Sequence, residues 1–219
     1  MLAKELISSI VPVMLPGDTG SQALKLMNEY HISQLPLVVD GKYLALVEED
    51  DVLDWEDTDL KLESAPNNFK PSINENAHIF DALKLFFEFK LCVLPVITRE
   101  GEYLGVATKD NLIAALAQMN AAKEAGGIIV LEVGPRDYSL SEIARIAESN
   151  DVTLLAVNTY SNPATGKLDV TLKTNRIELN SLVATFERFN YTIKHLFTEE
   201  MEEDLLKKNY DLFMNYISM

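Results

Sequence analysis

The sequence predicts an α+β protein: two successive β-α-β-β-α units, then a βαββαβ domain, then a C-terminal helix. Three observations predict it. First, the chain repeats itself: a shift of 59 places Ala23, Leu24, Lys25 and Leu26 on Ala82, Leu83, Lys84 and Leu85, and Leu35-Pro36 on Leu94-Pro95. One inserted residue makes the shift 60, and Gly41, Tyr43 and Leu44 then fall on Gly101, Tyr103 and Leu104. Self-similarity at a fixed period marks a duplicated supersecondary unit, because one copy alone cannot cover its apolar face. Second, the pattern stops near residue 125 and a different alternation of apolar segments begins. Third, 219 residues with 47% hydrophobic and 24% charged side chains describe globular material. No apolar run approaches the roughly 20 residues that span a bilayer.

Each copy opens its regular structure with a helix. Ala23, Leu24, Met27 and Tyr30, and then Ile79, Leu83, Phe86 and Phe87, recur at spacings of three and four. The short apolar runs LPLVV and VLPVI follow as buried strands with proline near the start. Asp40-Gly41 and Glu100-Gly101 turn these into the hairpin partners KYLALV and EYLGVAT. A second helix runs from about Asp50 to Trp55 in one copy and from about Lys109 to Glu124 in the other. Ile10–Leu15 and Lys70–Ile73 are the expected opening strands. The segment 62–72, LESAPNNFKPS, joins the copies.

Beyond residue 125, GGIIVLEVG reads as a strand and LSEIARIAESN as a helix capped by Ser139 or Ser141, with Ile143, Ile146 and Ala147 on one face. VTLLAVNTY and KLDVTLKTN are strands around the turn SNPATG, LNSLVATFERF is a helix and YTIKHLF a last strand. This order is the split βαβ arrangement of ferredoxin-like domains. The tail from Thr198 is an amphipathic helix with Leu205, Leu206, Tyr210, Phe213 and Ile217 as its apolar stripe. An exposed stripe would dock on another domain or subunit.

The net charge of −15 excludes nonspecific nucleic-acid binding and attachment to anionic lipid, which need basic patches. Both halves share the excess: residues 1–125 hold 10 Lys and Arg against 20 Asp and Glu, and residues 126–219 hold 9 against 14. The chain's start carries Glu5 and has neither a sustained apolar core nor a small-residue cleavage site, unlike a signal peptide. A single Cys92 forms no internal disulfide, which fits a reducing, cytoplasmic setting.

The A-L-x-L, L-P-L/V-V, G and Y-L pattern, in register twice over residues 1–125 and ending in GVATKDNLI, resembles a tandem of CBS domains, a Bateman module. The third segment resembles an ACT-type regulatory domain in topology, and the order CBS-CBS-ACT is similar to that of AcuB-type acetoin-utilisation proteins. The implied segments are 1–61 and 62–125 for the CBS domains, 126–197 for the ACT-like domain and 198–219 for the terminal helix. The resemblance implies ligand sensing: adenosyl nucleotides such as AMP, ADP, ATP or S-adenosylmethionine by the CBS pair, amino acids by ACT domains. The CBS nucleotide signature is a Gly, two apolar residues, Thr or Ser, two variable residues and Asp. The hydroxyl residue contacts phosphate and the Asp binds ribose. Carried onto this chain it gives Gly105, Thr108 with Lys109 beside it, and Asn111 in the Asp position; the first copy gives Ala45, Glu48 and Asp51. Asn111 can still donate and accept, though without a carboxylate's stronger hydrogen bonds. A carboxylate such as Glu48 about 5 Å from a phosphate costs roughly 3 kcal/mol at an effective dielectric near 20, about a hundredfold in affinity. The second cleft is therefore the expected nucleotide site. In the ACT-like segment Tyr138 stands where amino-acid-binding relatives place a Gly, so sheet pairing between such units is implied more than amino-acid binding.

Other candidates weigh less. Eight of the twelve residues Glu48–Asp59 are acidic and offer oxygens to a hard cation, but they lack EF-hand spacing and read more simply as a helix start favoured by the macrodipole that continues as a solvated loop. His31, His78 and His195 make no zinc pattern. His31 sits at a helix end, placed either to touch a ligand or to cap carbonyls. Cys92 reads as a small core residue, Gly126-Gly127 as an interdomain hinge, and Phe80, Phe86, Phe87 and Phe89 as core or dimer contact. No Ser-His-Asp set, nucleophile elbow or catalytic carboxylate pair appears, so the chain is expected not to be an enzyme. Two functions lead: a cytoplasmic, homodimeric, non-catalytic regulator that senses an adenosine-type nucleotide and acts on a protein partner, or a constitutive scaffold with degenerate clefts; a third, a subunit of a membrane transporter or enzyme complex, is permitted by the expected C-terminal helix.

Overall fold

The computed structural model describes residues 1–62 and 69–198, and the chain divides into two compact units, Met1–Leu116 and Ala117–Met219. The first unit contains a 3-10 turn, Ala3–Leu6, followed by β1 (Ile7–Ser8), α1 (Gly20–Tyr30), β2 (Gln34–Val39), β3 (Lys42–Glu48) and α2 (Glu49–Leu53). The second copy supplies β4 (Ile73–Asn74), α3 (Ile79–Glu88), β5 (Val93–Ile97), β6 (Tyr103–Thr108) and α4 (Lys109–Met119). The helix expected to reach Glu124 thus ends earlier, and the connector is described only outside 63–68.

The duplication persists down to single hydrogen bonds. Thr19 begins α1 with a capping box, in which Gln22 N–H donates to the Thr19 hydroxyl at 3.3 Å and Thr19 N–H donates to Gln22 Oε1 at 2.8 Å. His78 begins α3 by accepting from Phe80 N–H on Nδ1 at 3.2 Å. Both helices end in the left-handed region, at His31 (φ 53°) and Lys90 (φ 52°). There Ile32 N–H donates to Met27 O and Leu91 N–H to Phe86 O, the six-to-one closure of a helix C-terminus. The two hairpins differ where the inserted residue falls. Asp40 and Gly41 both have positive φ, forming a two-residue type I′ turn, whereas Thr98–Glu102 closes a longer loop with only Gly101 positive.

The opening strands depart from expectation. Ile10–Leu15 shrinks to one bridge, Met14 beside Leu37, equivalent to Ile73 beside Val96 in the short β4. The strand that forms instead, β1, lies earlier and pairs antiparallel with β6 of the other copy, in the sheet order β1-β6-β5-β4. Reciprocally, Phe69 from the connector accepts a hydrogen bond from Leu46 N–H of β3 at 2.9 Å. The second copy's sheet is thus completed by a strand that precedes the first copy, and the first copy's hairpin bonds to the connector that precedes the second, so the copies cannot separate without breaking these bonds. One core reflects this, joining Ala3, Leu6 and Leu46 to Ile79, Phe86, Val93, Leu94 and Val106; a second joins Met14, Met27, Leu35, Val47 and Val52. Of the four phenylalanines read as core or dimer contact, Phe86 alone is buried, while Phe80, Phe87 and Phe89 are exposed.

The second unit contains β7 (Ile128–Val133), α5 (Leu140–Glu148), β8 (Leu154–Ser161), β9 (Leu168–Thr174), α6 (Asn180–Arg188) and β10 (Thr192–Phe197). Its sheet order β10-β7-β9-β8, antiparallel throughout, is the split βαβ arrangement. Strict alternation along β7 turns Ile129, Leu131 and Val133 inward, to meet Ile143, Ile146, Leu182 and Phe186. Ser139, rather than Ser141, caps α5. The glycine pair expected to be a hinge is clamped: Gly127 N–H donates to Arg176 O at 2.8 Å and Thr174 N–H to Gly127 O at 3.0 Å. Gly126 has φ +137°, and a Cβ there would sit 1.9 Å from Thr174 O, so only glycine fits. The expected tail helix, 198–219, lies outside the described residues from 199 onward.

Candidate functional site

A cleft of about 410 Å³ opens in the first unit, between the end of α1, the start of β5 and the junction of β6 with α4. Pockets of this volume hold small ligands. Four of the six residues singled out from the sequence line it: His31, Thr108, Lys109 and Asn111. Ser8, Ile10, Val11, Tyr30, Ile32, Cys92, Val93 and Asp110 complete the wall. Apolar and polar side chains thus line the same cleft, a mixture that suits a flat ring with a hydrophilic substituent.

The polar lining is built around a cap. Asn111 N–H donates to the Thr108 hydroxyl oxygen at 3.2 Å, so Thr108 begins α4 as a Thr N-cap and keeps its own proton to donate. The Asn111 amide is half engaged: Nδ2 donates to Leu6 O at 3.0 Å, tying the N-terminal segment to α4, and leaves Oδ1 as an acceptor. Among the described residues, no hydrogen bond or ion pair engages the Lys109 ammonium. His31 reaches the cleft by its position rather than by capping with its ring, because it is the backbone N–H of His31 that bonds to Asn28 O and Met27 O.

Gly105 and Asp51 lie elsewhere. Gly105 is buried in β6 at φ +147°, and a Cβ on it would come within 2.6 Å of Ile7 Cγ2. Its lack of a side chain admits β1. Asp51 is exposed on α2, in the first copy. The sequence pattern missed Cys92 as a wall residue, since it reads as core beside LPV. A signal was present in the duplication: Cys92 is the equivalent of Ser33, and the Ser33 hydroxyl donates to Cys92 Sγ at 3.6 Å. The same symmetry repeats the backbone bonds Glu49 N–H to Ser33 O and Lys109 N–H to Cys92 O.

The CBS-domain family profile matches residues 3–57 and again 67–118. The chain carries a tandem pair of CBS domains. An inosine-5′-monophosphate dehydrogenase from Methanocaldococcus jannaschii is 24% identical over 155 residues, covering 69% of this chain and 31% of that protein. The chain spans about a third of the length of the curated relatives it matches. A CBS domain pair/ACT domain protein from Thermotoga maritima is similar in structure with a TM-score of 0.48 and 24% identity, over 54% of this chain and 98% of that one. CBSX2 in complex with AMP is similar with a TM-score of 0.46 and 20% identity, over 53% and 96% respectively.

Within the CBS pair, the first copy's counterpart of Thr108 is Glu48, and its carboxylate is held in place. Gln34 is buried, 4% exposed. It donates through Nε2 to Glu48 Oε1 at 2.7 Å and accepts on Oε1 from Cys92 N–H at 2.8 Å. Where the second copy has Val93 and Thr108, the first has Gln34 and Glu48, a correlated pair of polar changes. The carboxylate cannot swing away from this position without breaking a bond to a buried amide.

The second unit has a concavity of about 460 Å³ lined by Glu132, Asp137, Glu142, Lys167 and Tyr191 among others. Its charges largely answer one another: Lys167 Nζ lies 2.6 Å from Glu132 Oε2, and the Tyr191 hydroxyl donates to Glu142 Oε2 at 2.8 Å. Tyr138 is half-buried and packs on that unit's core. Among the described residues, no cluster of three or more His, Cys, Asp and Glu is placed to hold a metal, and no helix is long and apolar enough to cross a membrane.

Proposed function

We propose that this protein is a non-catalytic regulator whose CBS pair senses an adenosine-type ligand in the cleft beneath Thr108. CBS pairs are typically regulatory modules that bind adenosine nucleotides. The carrying observation is that His31, Thr108, Lys109 and Asn111 line one cleft together with Ile10, Val11, Ile32 and Val93. Apolar residues take the base, Asn111 Oδ1 accepts from a ribose hydroxyl, and Thr108 with Lys109 donates to a phosphate. The organisation we propose is CBS domains over 1–61 and 62–125, an ACT-like domain over 126–197 that pairs with its counterpart in a homodimer and relays the response, and a terminal helix over 198–219. This order is similar to that of acetoin-utilisation proteins. The relay requires two arrangements of the module that bind the ligand with different affinity.

A second reading, a constitutive scaffold, is favoured by one observation: Asn111 gives its amide to Leu6 O, and Glu48 is fixed by Gln34, so both signature positions serve the fold. Titration calorimetry with AMP, ADP, ATP and S-adenosylmethionine separates the two. The sensor binds at least one of them, and Lys109→Gln weakens that binding while leaving the Thr108 cap intact. Absence of heat and of thermal shift at millimolar ligand supports the scaffold and ends the sensor proposal.

A further inference from the structure

We infer that the cleft beneath Thr108 selects a weakly charged adenosine-type ligand, the monophosphate or a less anionic adenosyl compound, over the di- and triphosphates. The inference rests on the adenosine reading above and adds which member of the class is taken. The wall holds a single ammonium, Lys109, and a carboxylate beside it, Asp110, so the formal charges of these two side chains cancel. A helix N-terminus ordinarily supplements such a site with free amide protons and a positive dipole end. Here that supplement is reduced. Lys109 N–H already donates to Cys92 O at 3.4 Å, and Asn111 N–H to the Thr108 hydroxyl at 3.2 Å. Asp110, in the first turn of α4, itself answers the dipole. Thr108, Ser8, Tyr30 and His31 line the cleft as neutral donors, and the Lys109 ammonium is the single formal positive charge among its lining residues, enough to answer one phosphate charge and short of what a second or third brings.

The surroundings act in the same direction. Residues 1–116 hold 9 Lys and Arg against 19 Asp and Glu, so each added phosphate charge enters a negative field. A unit charge about 8 Å from an uncompensated carboxylate loses roughly fivefold in affinity at an intermediate effective dielectric, and salt reduces the loss. ATP should therefore bind at least about tenfold more weakly than AMP at low ionic strength.

Calorimetry on the full chain, without divalent cations, with adenosine, AMP, ADP, ATP and S-adenosylmethionine at low and at physiological salt, tests this. The expected result is an affinity that falls from AMP to ADP to ATP, with the gap narrowing as salt rises. Asp110→Asn should raise ATP affinity several-fold and AMP affinity less. Lys109→Gln should lower AMP affinity about tenfold and adenosine affinity less. ATP binding as tightly as AMP overturns the selectivity while leaving the adenosine reading standing. Failure of every ligand to bind overturns both.

Discussion

Replacing Gln34 by valine, the residue its counterpart position already carries as Val93, breaks two hydrogen bonds at once. The bond to Glu48 Oε1 is charge-assisted and half-buried, and such bonds contribute about 1.5–3 kcal/mol. The Cys92 N–H loses its acceptor, which costs about 1–3 kcal/mol where water does not replace it. A buried valine returns about 1.5 kcal/mol of transfer free energy. The balance is a loss of about 2 kcal/mol. Trp55, the one tryptophan of the chain, lies in the first unit and packs on its core, so its fluorescence in urea reports that unit. With a slope of about 2 kcal/mol per molar urea, the midpoint should fall by about 1 M. A cycle with Glu48→Gln should show coupling of about 1 kcal/mol, because either change removes the same charge-assisted bond. A midpoint shift below about 0.2 M, or strict additivity between the two changes, refutes the bridge as a stabilising element.

Three further outcomes are expected. The Tyr43 hydroxyl is buried with no hydrogen-bond partner among the described residues, so Tyr43→Phe should leave stability unchanged or raise it by about 1 kcal/mol in the same urea assay. Burial pushes the Tyr103 phenol up to about 12, and burial followed by the proximity of Tyr103 pushes Tyr43 higher still. Because both folded values are raised, their contribution is intact below about pH 10 and is lost as pH climbs toward 12; unfolding followed by phenolate absorbance should show it, with Tyr43→Phe flattening the fall. Gly105→Ala forces a Cβ into Ile7 at a φ of +147°, and should cost about 2 kcal/mol or more and free the N-terminal strand to amide exchange.

Much of the first unit was legible because duplication doubles every signal. The hairpins follow Asp40-Gly41 and Gly101, and the helices follow their three- and four-residue spacings. The opening strands were not legible. Two-residue strands such as Ile7–Ser8 carry no period, and exchange of β1 onto β6 depends on a contact about a hundred residues distant in sequence. Thr108, Lys109 and Asn111 were legible as a cluster through their signature spacing. The Gln34 bridge was not, since a lone glutamine before LPLVV looks like a strand's solvated edge. Comparing the copies exposes it, because Gln34 and Glu48 change together against Val93 and Thr108. The hinge assigned to Gly126-Gly127 failed for a related reason: glycine marks close backbone approach as readily as freedom, and here Thr174 O is the approaching atom.

The central claim is one working nucleotide cleft in a duplicated pair, with the other closed by Glu48. Calorimetric stoichiometry of AMP binding to the full chain tests it most directly. The account predicts one molecule per chain, and a second only after Glu48→Thr. Two molecules bound by the unaltered chain, or none, would contradict it.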